Sequence, residues 1–230
     1  MMTDAQIHNV RIVIGAFVAA VGIALSSATW AGDFTPNPTF KIGDPAPAIA
    51  PISWIQGAPV TKFQPGRVYV VEFWATWCPP CIKAIPHLSA LQRKYPDTLT
   101  VVGVNVEGLL GHEPKVDAVP AFMQRWGKDM AYTLAMDDPA KKTVSDAWIT
   151  ASGSLGIPTA CIVDQHGKLA WVGYPDLIQS YAFDQALEDT VAGKIDLARA
   201  RALQVSTIRE TAEYWAKLNK PTKIPQDLAK

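Results

Sequence analysis

Hydrophobic positions along this chain fall into short blocks whose spacing alternates between that of strands and that of helices. The first block, residues 12–25, is apolar throughout, follows a polar start that ends at Arg11, and precedes a run of small residues. That order is the order of an export signal over residues 1–31, with a cut after Ala28 or Ala31. An uncleaved anchor is the alternative, although this block falls short of the roughly 20 residues a bilayer-spanning helix needs. After a proline-punctuated lead-in, short extended pieces are predicted at 52–55 and 60–63. The strongest strand signal is 68–74, Val-Tyr-Val-Val-Glu-Phe-Trp. Both of its alternating sets of positions are apolar, as in a strand covered on two faces.

Residues 81–95 then change to helical spacing, with Ile82, Ile85, Leu88, Leu91 and Tyr95 on one side and Pro86 in the middle, where a kink is expected. A second buried strand is predicted at 98–106, a loop at 108–120, a short helix at 121–126 and an extended piece at 132–136. A helix over 144–152 comes next. Strands at 159–163 and 169–174 bracket Asp164-Gln165-His166-Gly167, a hairpin turn with glycine where positive φ is required. Helical patterns cover 179–191 and 196–217. In the last of these, Ile195, Ala198, Ala202, Val205, Ile208, Ala212 and Trp215 recur every three or four residues, the mark of an amphipathic helix. It packs on the domain or serves as a dimer helix. The order is that of a mixed α/β fold. The chain divides into a signal segment at 1–31, a linker at 32–40, a domain at 41–191 and a helical extension at 192–230.

Composition narrows the function. Twenty-one basic and 21 acidic residues cancel in a chain that is 49% hydrophobic, the make-up of a globular domain. Nucleic-acid binding is excluded as a leading class, because it requires a concentrated basic face. The 3 cysteines cannot form a multi-bridge scaffold, so the core must hold the fold.

Two of those cysteines form Cys78-Pro79-Pro80-Cys81, at the junction of the predicted strand and helix. This spacing sets the first sulfur at a helix N-terminus, where unpaired N–H groups and the dipole favour an anion. An ordinary cysteine is only about 3% thiolate at pH 7, and a fall of roughly 1.5 units in its pKa makes half of it reactive. Cys78 is thus the candidate nucleophile, and Cys81, one turn further in, attacks the mixed disulfide and releases the partner. Pro79 and Pro80 lack N–H groups but suit a first helical turn, and a proline after Cys78 keeps it out of the α region. The thiolate of Cys78 is therefore expected to be moderately rather than extremely stabilised. A structural zinc site needs four ligands, and there is no second Cys-x-x-Cys and no His-x-x-x-His. No metal and no cofactor are expected.

The run from Val70 through Glu72 and Trp77 to Cys81, with Pro86 in the helix, Gly156-Ile157-Pro158-Thr159 before the hairpin and Ile42-Gly43-Asp44-Pro45-Ala46-Pro47 ahead of it, resembles the thioredoxin superfamily. Within it the chain is most similar to the TlpA-like, AhpC/TSA-type exported branch, over about residues 41–191. The resemblance implies a thioredoxin-like fold, a central mixed β-sheet flanked by helices. It also implies that Trp77 shields the dithiol, that Pro158 is a cis-proline beside it, and that Ile157 offers backbone hydrogen bonds to an extended substrate peptide. Glu72 occupies the family's buried acidic position. A carboxyl in an apolar strand has a raised pKa and suits proton exchange with Cys81; alternatively, strand twist carries it to water or to Lys83.

Cys161 reads as core filler in the strand at 159–163. His87 and His166 read as surface residues, and His112 has no evident partner. Trp54, Trp148 and Trp171 are either core or part of a partner surface. The expected function is thiol:disulfide exchange on exported protein disulfides in the periplasm or another extracytoplasmic space, fed by a membrane-bound electron donor. The resemblance adds cytochrome c or copper-site maturation. Two other classes remain beside it: a thiol peroxidase, whose Pro-x-x-x-Thr-x-x-Cys element is absent, and a peptide-binding module that merely retains the dithiol.

Overall fold

The computed structural model describes residues 38–217 apart from Val116, Leu155 and residues 175–179. The expected signal segment at 1–31, and most of the linker after it, lie outside the described residues. Among the described residues no helix is long and apolar enough to cross a membrane.

Six strands form one sheet in the order β1-β4-β3-β2-β5-β6. They are β1 (Ser53–Gln56), β2 (Val68–Trp74), β3 (Leu99–Asn105), β4 (Thr133–Met136), β5 (Thr159–Val163) and β6 (Leu169–Gly173). Strands β2, β3 and β4 run parallel, while β1, β5 and β6 are each antiparallel to their neighbours. Every residue of β2 is buried, which accounts for an apolar run that Glu72 alone interrupts. Its alternate side chains enter two separate cores. Val68, Val70 and Trp74 face the helices α1 (Pro79–Lys94), α2 (Ala118–Trp126) and α4 (Ser180–Val191). Tyr69, Val71 and Phe73 face the lead-in and α3 (Thr143–Ser145), which runs on into a π-helical turn at Asp146–Thr150.

Helix α1 follows from its sequence. Pro79 and Pro80 supply the first two helical positions, where no N–H is needed. Ala84, Ile85, Leu88 and Leu91 bury one face, and Arg93 and Lys94 meet the negative end of the dipole. The helix continues through Pro86. Its outer side is tied to α4 by His87 Nε2 to Asp184 at 2.8 Å and by Lys94 to Glu188 at 2.9 Å. His87, read as a surface residue, is half-exposed and pairs there with Asp184.

The hairpin turn after β5 is held by Asp164, whose Oδ1 accepts the N–H groups of His166 and Lys168, with Gly167 at φ +73°. The last helix, α5 (Leu197–Lys217), starts against the lead-in: Ala200 is buried with Ile42, and Arg201 Nε donates to the Ile42 carbonyl at 2.7 Å. One expectation is corrected here, and one open alternative is decided. Residues 60–63 form no strand; they lie in the connection between β1 and β2, which stand three places apart in the sheet. Trp148 and Trp171 are core residues and not surface ones, filling opposite faces of the sheet.

Candidate active site

Strands β2 and β3 are parallel, so their C-terminal ends lie together, and β5, antiparallel to β2, begins at the same end. The loops leaving β2 and β3 and the loop entering β5 therefore converge on one side, where parallel sheets commonly place ligands. The first of these loops carries Trp77 and Cys78, the second Glu107 and the third Ile157 and Pro158.

Cys78 caps α1. Its backbone is extended (φ −104°, ψ 95°), as the following proline demands, and its Sγ accepts the Cys81 N–H at 3.3 Å. A disulfide joins the two cysteines, whose Cα atoms are 5.3 Å apart. Both are buried, Cys78 being only 3% exposed. The Ile157–Pro158 peptide is cis, and the Ile157 carbonyl oxygen lies 3.8 Å from Cys78 Sγ, where a protonated thiol would donate to it.

Glu72 sits on β2, two residues before Trp74, and shares the sheet face of Val70, Trp74 and both cysteines. It is buried, and its Oε1 makes no hydrogen bond within the protein. The alternative in which it reaches water or Lys83 is thereby corrected, since the pleat turns it into the core beneath α1. Burial pushes its carboxyl well above the ordinary carboxylate range.

A second buried carboxylate, Glu107, is missed in reading the sequence. Its Oε1 accepts the Thr76 N–H at 2.7 Å and the Asn105 side-chain amide at 2.9 Å, and its Oε2 accepts the Thr76 hydroxyl at 3.1 Å. The Glu107 carbonyl accepts the Trp77 indole N–H at 3.0 Å. The loop bearing the dithiol is thus anchored beyond the end of β3 by three hydrogen bonds to one residue, which the Asn105 amide steadies in turn. A signal for it exists: Asn105 and Glu107 are polar positions closing an apolar strand, as Glu72 is a polar position within one. On the outside of this loop His112 stacks on Trp77, with ring centroids 3.7 Å apart. That corrects the reading of His112 as a residue without a partner. Leu110, exposed and at φ +57°, lies beside Gly156 in the loop entering β5.

Cys161 is set apart from this group. It lies opposite Val71 on the other face of the sheet, fully buried, and burial pushes its thiol up. An apolar environment of this kind leaves it inert.

Comparison with known proteins gives the family and the fold. The family model described as Redoxin matches residues 41–189. The protein FixW of Rhizobium leguminosarum is 29% identical over 142 residues, 59% of this chain and 61% of FixW, so less than two thirds of that relative is spanned. The thiol-disulfide oxidoreductase ResA of Bacillus thuringiensis subsp. konkukian is 28% identical over 151 residues, covering 65% of this chain and 77% of ResA. Among solved structures, a thiol:disulfide interchange protein DsbE from Chlorobium tepidum superposes with a TM-score of 0.51 at 24% identity, over 66% of this chain and 98% of that one. At that identity the likeness establishes the fold, which is thioredoxin-like.

Proposed function

The chain belongs to the Redoxin family, and from that premise we propose that it is a thiol:disulfide oxidoreductase that exchanges disulfides with exported polypeptides through Cys78 and Cys81. The observation that carries the proposal is the disulfide at the N-terminus of α1, with the first sulfur accepting a backbone N–H and a buried carboxyl on the same face below.

In the reduced protein, the Cys78 thiolate attacks one sulfur of the partner's disulfide. A bond forms between Cys78 Sγ and that sulfur as the partner's S–S bond breaks, and the other partner sulfur leaves as a thiolate. Glu72, with its raised proton affinity, takes the proton from Cys81. Cys81 Sγ then attacks Cys78 Sγ, the mixed disulfide breaks, and the second partner sulfur departs. Two electrons have passed to the partner, and Cys78–Cys81 is again a disulfide. An external dithiol, supplied by a membrane-bound donor, restores it by the same steps in reverse.

The substrate lies as an extended segment beside Ile157 and Pro158, where the Ile157 backbone offers hydrogen bonds, and Trp77 shields the dithiol from bulk water. The work is extracytoplasmic, consistent with the apolar start of the sequence, and its resemblance to the TlpA-like branch extends the substrates to cysteines of exported cytochromes c and copper-site proteins. Reduction of insulin by dithiothreitol tests the activity: the protein should accelerate it and a Cys78→Ser variant should not. Equal rates with and without the protein, together with retained peptide binding, would instead support the peptide-binding reading.

A further inference from the structure

A single exposed leucine needs no explanation on a protein surface. Leu110 differs in how it is held and in what it lies beside. Among the described residues only Ile52 and Leu110 are large, hydrophobic and exposed, and Leu110 is 62% exposed. Its backbone is also left-handed, at φ 57° and ψ 26°, and Gly111 follows at φ 79°. That conformation is unfavourable for a leucine, and residues so strained concentrate where a loop meets a ligand. The loop around it is fixed on both sides. Before it, Glu107 accepts the Thr76 N–H and hydroxyl and, through its carbonyl, the Trp77 indole N–H. After it, the His112 ring lies on the Trp77 ring, with centroids 3.7 Å apart and planes 15° from parallel. Leu110 is thus the tip of a short arm clamped to the loop that carries Cys78. Its Cδ1 lies 3.7 Å from where a Cβ on Gly156 would stand. Gly156 immediately precedes Ile157, whose carbonyl oxygen is 3.8 Å from Cys78 Sγ. One side of the Leu110 side chain therefore rests on the loop entering β5, and the remainder is open to water next to the dithiol.

We infer that Leu110 is a specificity-determining residue, the apolar contact for a hydrophobic side chain that the partner polypeptide carries two residues from the cysteine bonded to Cys78. The inference rests on the proposed exchange through Cys78 and on a partner segment that lies extended along Ile157. In such a segment successive side chains point to opposite faces. The residues that share the cysteine's face are therefore those two positions away, about 7 Å along the chain. Once the partner's sulfur is bonded to Cys78, that face is turned toward the protein, and the side chain two positions along meets the rim of the site. The rim is apolar there: Trp77 and Ile157 are partly buried against the core, and Leu110 stands out beyond them. An apolar partner side chain takes the surface of Leu110 out of water, which is favourable. A polar one gains nothing from it, because leucine has no donor or acceptor. The clamps at Glu107 and His112 hold the arm in place before the partner arrives, so binding does not have to order it.

The test uses the reduced full chain and short peptides of one cysteine each, presented as symmetric disulfides. Cys78 bonds to one peptide sulfur as the other peptide leaves as its thiolate, and Cys81 then displaces the first; the released thiols are measured by chromatography. The peptides differ only two residues before or after the cysteine, where either serine or leucine stands, and glutathione disulfide is run beside them. In the parent, one of the leucine peptides should exceed the serine peptide about tenfold in kcat/KM, the scale of one buried aliphatic side chain. Leu110→Asn removes the apolar side chain and suits a left-handed backbone; Leu110→Gly is the second variant, should the first fold poorly. Either should bring the peptides to within about twofold of one another. Because the preference is a ratio within each protein, a general change of rate drops out. A parent that exchanges with serine and leucine peptides alike, or a leucine preference that survives in the folded variants, overturns the inference and leaves the exchange activity standing. A parent that exchanges with none of these disulfides, glutathione disulfide included, overturns the oxidoreductase reading and this inference with it.

Discussion

Pro80 occupies the second position of α1, where the N–H of any other residue would point at the capping side chain. Cys78 Sγ consequently accepts a single backbone donor, the Cys81 N–H at 3.3 Å. Replacing Pro80 by alanine supplies a second one. A hydrogen bond to a charged group contributes roughly 1.5–3 kcal/mol, and Cys78 is buried enough that solvent screens little of it. That gain falls on the thiolate of the reduced state, since a disulfide sulfur is a weak acceptor. The cost of a more flexible unfolded chain, about 0.4–1 kcal/mol, is common to both redox states and cancels. For a two-electron couple about 30 mV corresponds to 1.4 kcal/mol, so the reduction potential of Pro80→Ala should rise by roughly 30–60 mV. Equilibration of each protein with glutathione buffers, with the reduced fraction read by alkylation and mass, gives the two potentials. A potential unchanged or more negative in the folded variant would refute the view that backbone donors at the helix start set the stability of the Cys78 thiolate.

Three further outcomes follow from the buried groups. Because the folded protein holds the Glu72 proton above the ordinary carboxylate range, it binds more protons than the unfolded chain as pH rises from about 4.3, and stability falls over that window. The advantage of the neutral form is complete below that pH and is lost as pH climbs toward the raised value; Glu72→Gln should flatten the decline in thermal-melting profiles while slowing mixed-disulfide resolution. Gly103→Ala forces a methyl to within 2.9 Å of Tyr132 and Leu134, and should cost roughly 1–3 kcal/mol in urea unfolding with an unchanged m-value; a neutral result would mean that the rings do not lie on the sheet there. Glu107→Ala strips the acceptor from the Thr76 N–H and the Asn105 amide, and should speed hydrogen exchange at Thr76 by tenfold or more, the equivalent of about 1.4 kcal/mol per decade.

Much of this architecture is legible in the chain itself, for reasons that differ by residue. The double-sided apolar run of β2 reflects a strand with both faces covered, and Cys78 announces its capping role through the proline that follows it, because local sterics act without help from the rest of the fold. Glu72 stands out because a carboxyl in such a run is costly wherever the fold puts it. Glu107 and His112 are harder to find. They lie in an aperiodic loop whose contacts come from the convergence of β2, β3 and β5, and no local pattern encodes that meeting. Trp148 and Trp171 are ambiguous in isolation, since tryptophan suits cores and interfaces alike; only the sheet, with a core on each face, decides. Gly103 looks like an ordinary strand glycine until Tyr132 and Trp74 are seen lying over it.

Exchange through this site requires the sulfur of Cys78 to form a transient covalent bond to a cysteine of another polypeptide, which Cys81 then ends. A Cys81→Ala variant of the full chain removes the second step and leaves the first intact. Quenching cells with acid and alkylating reagent, then sequencing the cross-linked peptides, reads the outcome directly. We expect reductant-sensitive adducts joined at Cys78 and absent from a Cys78→Ser, Cys81→Ala double variant. Absence of adducts, or adducts joined only at Cys161, would contradict it.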